Sequence, residues 1–101
     1  MVCFRLIFKN HHTFDVVIHR QAAARGYDAA MHAARIYRVT GGAREIEPLQ
    51  RAAGGPIEVY AISEATAVSI ATEVLSVVTG SELAELSIFD DPALPGLPEL
   101  A

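Results

Sequence analysis

Two short stretches near the start of the chain alternate between apolar and other side chains. In residues 2–9, Val2, Phe4, Leu6 and Phe8 fall on one side, and Cys3, Arg5, Ile7 and Lys9 on the other. Residues 14–20 do the same, with Phe14, Val16 and Ile18 set against Asp15, Val17 and His19. A period of two marks a strand with one buried face. The polar run Asn10-His11-His12-Thr13 between them predicts a turn, so residues 2–20 predict a β-hairpin.

The pattern then shifts. Residues 29–38 (AAMHAARIYR) place Ala30, Met31, Ala34 and Tyr37 at three-four spacing, which predicts a helix. Asp28 is a fitting N-cap, since its carboxylate can accept free amides of the first turn. Gly26 argues against an earlier start, because glycine inside a helix costs about 1 kcal/mol. Gly41 and Gly42 predict its end. Residues 44–49 contain Pro48, which lacks an amide hydrogen, so this piece is at best an edge strand. A Gly-Gly-Pro turn leads into a clear strand at 57–62.

Ser63 then caps the strongest helical pattern, 64–79 (EATAVSIATEVLSVVT). Ala67, Ile70, Ala71, Val74, Leu75 and Val78 form one face; Ser69, Thr72, Glu73 and Ser76 form the other. Gly80 stops it. Residues 84–89 alternate weakly and predict a last strand, and residues 90–101 form a Pro-rich acidic tail. The sequence therefore predicts an α+β fold: an antiparallel sheet of four to five strands with two helices on one face. A faint repeat, with Val-Thr-Gly closing both helical patterns, suggests two ββα units plus a final strand. The expected organisation is a single domain over 1–89 followed by the tail. Its expected core is Val2, Phe4, Leu6, Phe8, Phe14, Val16, Ile18, Ile70, Val74 and Leu75.

Composition agrees with a folded domain of this size: 101 residues, 51% hydrophobic and 20% charged. The lone Cys3 excludes an internal disulfide and suits a reducing cytoplasm, the expected location. The apolar start is broken by Arg5 and Lys9, so neither a signal peptide nor a membrane span is expected.

Charge is the one strong functional signal. All eight Lys and Arg lie within the first 51 residues, beside four acids, for a net +4; the remainder holds eight acids and no cation, a net −8. Such a split concerns fields and partners, not fold.

Reactive motifs are absent. His11 and His12 are adjacent at a turn and cannot easily converge on one ion, and no Cys-x-x-Cys or His-x-x-x-His accompanies them. Cys3 sits in a strand rather than at a helix N-terminus that would favour a thiolate. His32 borders an apolar stripe. Ser63 and Ser69 lack a nucleophile elbow. Neither glycine pair leads into a phosphate-binding Lys-Ser or Lys-Thr. No catalytic, metal or cofactor residue is therefore assigned, and the chain is expected not to be an enzyme. At net −4, direct nucleic-acid binding is disfavoured.

The acids Glu64, Glu73, Glu82, Glu85, Asp90 and Asp91 meet no nearby cation in the sequence and are the expected partner-binding residues. The ordinary reading of each is a solvated surface charge; the sharper one is a surface docking on a basic, nucleic-acid-handling protein. The leading expectation is a small acidic inhibitor or regulator acting by occupancy. Phage and mobile-element inhibitors, anti-CRISPR proteins among them, are of this size and class, but no motif here carries a resemblance to one. A cytoplasmic homo-oligomer with a structural or regulatory role, binding nucleic acid through its arginine-bearing half, is the alternative. Self-association as a homodimer is also expected under either reading, through an edge strand near residues 84–89 or 44–49 pairing with its copy. A small enzyme using Cys3 or a histidine is the third reading.

Overall fold

The computed structural model describes residues 1–21 and 31–90. These form an α+β fold: one six-stranded antiparallel sheet and, among the described residues, a single helix. The strands are β1 (Val2–Phe8), β2 (Thr13–Gln21), β3 (Met31–Thr40), β4 (Ala43–Arg44), β5 (Glu58–Ala61) and β6 (Leu83–Asp90). The helix, α1 (Glu64–Thr79), lies between β5 and β6 in the chain. The sheet order is β4-β3-β2-β1-β6, and β5 also pairs with β3.

The β1–β2 hairpin forms as its alternation predicts, with Phe4 opposite Val16 and Leu6 opposite Phe14. The turn residue His11 takes a positive φ of 70°. The rings of Phe8 and Phe14 meet edge to face, 6.0 Å apart.

The helix expected over 29–38 does not form. Residues 31–40 are strand β3, paired with β2 from Gln21–Met31 to Phe14–Arg38. The alanines that suggested a helix serve an alternation instead. Ala34 and Ile36 face the core, while Ala33, Arg35 and Tyr37 face the other side. Ile36, Tyr37, Val39 and Thr40 all suit a pleated sheet better than a helix. Long-range pairing with β2 on one edge and β5 on the other outweighs local alanine propensity. The expected start of that helix, with Asp28 as its cap, lies outside the described residues. The arrangement of two helices on one face is thereby corrected, and so is the first of the two ββα units. Gly41 and Gly42 do not end a helix but make a tight β3–β4 turn. Their φ values of 60° and 83° suit a two-residue hairpin whose central residues are both left-handed.

The piece expected as an edge strand over 44–49 is shorter, reduced to β4. Beyond it the chain is held by Leu49 N–H donating to Ile36 O at 2.6 Å.

Helix α1 matches its expected bounds. The Ser63 hydroxyl accepts from the Thr66 amide at 3.2 Å, and Gly80 ends the helix at φ 67° with its amide donating to Ser76 O. The helix lies over β5, β3, β2 and β1. Its buried residues Ala67, Val68, Ala71 and Leu75 join Phe4, Leu6, Phe8, Phe14, Val16 and Ile18 in one core. Ile70, expected there, is 38% exposed. The buried stripe is centred on Ala67, Ala71 and Leu75, which turns Ile70 to the helix flank. Small alanines bring the helix close to the sheet. Among the described residues no helix is long and apolar enough to cross a membrane.

Candidate protein-binding surface

The sheet face away from the helix carries an ionic cluster. Arg5, Asp15 and Tyr37 lie side by side on β1, β2 and β3. Asp15 is fully buried. Arg5 grips it with two hydrogen bonds, Nε to Oδ1 at 2.7 Å and Nη2 to Oδ2 at 2.9 Å. Arg44 reaches in from β4, donating Nε to Oδ2 at 2.7 Å and Nη2 to Cys3 Sγ at 3.2 Å. Donating hydrogen bonds to Asp15 raises the Arg5 pKa further, so the guanidinium is firmly charged. Beneath these groups Cys3, Val17 and Tyr37 form a second buried cluster. The thiol is therefore enclosed rather than presented to a substrate.

A second ion pair lies on the same face: Arg35 Nε donates to Glu58 Oε1 at 2.9 Å. The Tyr60 hydroxyl donates to the other carboxylate oxygen at 2.6 Å. The tyrosine hydrogen bond first, and Arg35 second, hold Glu58 below the usual carboxylate range. Burial pushes the Tyr37 hydroxyl upward, opposed by the positive charges of Arg35 and Arg44. Four residues beyond Asp15 on β2, burial first, then the N-terminal ammonium and Arg35, lowers the His19 pKa.

These contacts show where the first-half cations go. Arg5 and Arg44 converge on Asp15, Arg35 takes Glu58, and Lys9 takes Glu82 at 2.8 Å on the exposed surface. Glu64, Glu73 and Glu85 make no ion pair among the described residues. Each is exposed, Glu64 in the first turn of α1, Glu73 further along the helix and Glu85 on β6. Asp90 closes β6 opposite Val2, and Asp91 lies outside the described residues. Among the described residues, the acids singled out from the sequence do not share one face. Glu73 is on the helical layer. Glu85, paired in register with Ile7, points to the opposite side of the sheet from the core residue Leu6.

The other sequence candidates are dispersed. His11 and His12 are exposed beside Arg38 in a shallow cleft of about 220 Å³ that Asn10, Thr13 and Thr40 also line. Among the described residues no three His, Cys, Asp or Glu side chains gather where a metal ion could be held.

Sequence reasoning missed two features. Asp15 was read only as the outward partner of an alternating strand, though Arg5 opposite it in the hairpin was a usable signal. The other is the exposure of Leu86 and Ile88, 46% and 63%, along β6, the strand whose edge the sequence already offers for self-pairing. Both belong to the core-facing side, in register with Leu6 and Phe4, but lie beyond the cover of α1. Comparison with known proteins adds no relative: no family model, no curated protein and no solved structure matches the chain.

Proposed function

We propose that this chain is a non-enzymatic protein-binding domain, an inhibitor or regulator that occupies a basic surface on a nucleic-acid-handling partner. The observation that carries the proposal is how the fold distributes its charges. Three arginines turn inward on the open sheet face to hold Asp15 and Glu58, so they do little to neutralise the acids elsewhere. Glu64, Glu73 and Glu85 stay exposed on elements that carry no basic residue. A surface of this kind steers a basic partner by its field, which raises the association rate more than the final affinity. Because the acids lie on two sides of the sheet, the contact is expected to wrap the α1–β6 end rather than press on a flat acidic plate. The proposed setting is the cytoplasm, where Cys3 remains a thiol.

The test is affinity capture from the native host with the intact protein as bait. A captured protein with a basic, nucleic-acid-binding surface is expected, released as salt rises and displaced by its own nucleic acid. Capture that is indifferent to salt, or that brings down nucleic acid without protein, would overturn the reading.

A further inference from the structure

The free edge of β6 fits a second copy of itself. β6 is the terminal strand of the sheet, eight residues long, and among the described residues nothing pairs with its outer side. It contains no lysine and no proline, the residues that usually protect an exposed edge. Among the described residues its large exposed apolar side chains, Leu86 and Ile88, both lie on the core-facing side of the sheet.

We propose that β6 pairs antiparallel with β6 of a second copy about a twofold axis at Ser87, making one continuous sheet. Charge and polarity select this register. In an antiparallel pair that keeps the two faces aligned, the strand can move only in steps that preserve the alternation. With Ser87 opposite its own copy, Leu86 faces Ile88 twice, Glu85 faces Phe89, and Ala84 faces Asp90. No carboxylate then stands opposite another. Moving the axis to Leu86 sets Asp90 against Glu82. Moving it to Glu85 sets two glutamates face to face. Moving it to Ile88 sets the apolar Leu86 against Asp90. Like charges opposed across strands are destabilising. The axial row is also neutral, because Arg5, the neighbour of Ser87 on β1, already holds Asp15. Glu64 and Glu73 on α1 lie outside this interface and Glu85 on β6 lies within it, so a dimer would present the α1 part of the proposed docking surface twice.

The experiment has two arms on the full chain. Sedimentation velocity over a range of concentrations is expected to show a dimer for the native protein. The Leu86→Lys/Ile88→Lys variant is expected to dimerise about a hundredfold more weakly or worse, because pairing would bury unpaired ammonium groups. Its circular dichroism should be unchanged, since both positions are exposed, Leu86 by 46% and Ile88 by 63%, so a lysine can carry its charge into water. In the second arm, Ser87→Cys should form a disulfide-linked dimer on mild oxidation, whereas Glu85→Cys should not. A native protein that stays monomeric at every concentration overturns the proposal. So does a dimer that survives the double lysine variant, or preferential cross-linking through Glu85→Cys.

Discussion

Replacing Asp15 by Ala tests the ionic cluster on the open face of the sheet. The buried carboxylate accepts two hydrogen bonds from Arg5 and one from Arg44. Hydrogen bonds to charged groups contribute about 1.5–3 kcal/mol each. The Arg5 and Arg44 side chains remain 28% and 12% exposed, so water recovers part of the loss and a simple sum is too large. Removing one partner of a buried ionic group costs about 3–5 kcal/mol, which is the better guide. That is a large share of a domain stability of about 5–15 kcal/mol. Arg5→Ala should cost less, about 1–3 kcal/mol, because Asp15 keeps its bond from Arg44. The two changes act on one contact, so the double variant should be less destabilised than the summed single costs by about 0.5–3 kcal/mol. Urea denaturation followed by circular dichroism measures all three. An Asp15→Ala cost below about 1 kcal/mol, or additivity within about 0.5 kcal/mol, would refute the reasoning.

Three further outcomes are expected. Leu75→Ala, at a fully buried site, should cost about 2–5 kcal/mol, whereas Ile70→Ala on the helix flank should cost under about 1 kcal/mol; equal melting shifts would contradict the observed rotation of α1. His19 is buried and its pKa is held below 6.5. The unfolded chain therefore takes up that proton more readily, and stability should decline as pH falls through about 6.5 and continue to decline until the folded ring titrates. His19→Leu should flatten this part of the urea-midpoint profile; an unchanged slope would assign it to another group. The native protein should sediment as a dimer, and Leu86→Lys/Ile88→Lys as a monomer with the same circular dichroism.

The hairpin and α1 were legible because each has a pure period and explicit end signals. Phe4, Leu6, Phe14 and Val16 alternate without interruption, and Ser63 and Gly80 bracket the helix. Strand β3 was not legible. Its alanines score well in a helix, and its pairing with β2 and β5 depends on residues distant in sequence. The burial of Tyr37 and Cys3 was hidden for a related reason. An alternating strand read alone assigns one face to solvent, whereas Arg5, Asp15 and Arg44 close over that face only once three strands meet. The sequence showed which acids lack a nearby cation along the chain but not where they lie in space, and Glu82 meets Lys9 across the fold. Glu73 and Glu85 differ by twelve positions in the chain and by the thickness of the sheet in space.

The central claim is that the exposed acids of α1 and β6 steer a basic partner. It is tested most directly by the association rate of the captured partner with the native chain and with Glu64→Lys/Glu73→Lys/Glu85→Lys, measured across salt. The native rate should fall as salt rises, since the screening length shrinks from about 10 Å at 0.1 M to about 3 Å at 1 M. The triple variant should associate at least about tenfold more slowly at low salt and lose most of that salt dependence. Arg20→Glu/Arg38→Glu should leave the rate nearly unchanged or raise it. A triple variant that binds as fast as the native chain, while the arginine variant fails to bind, would contradict the account and move the contact to the arginine-bearing side.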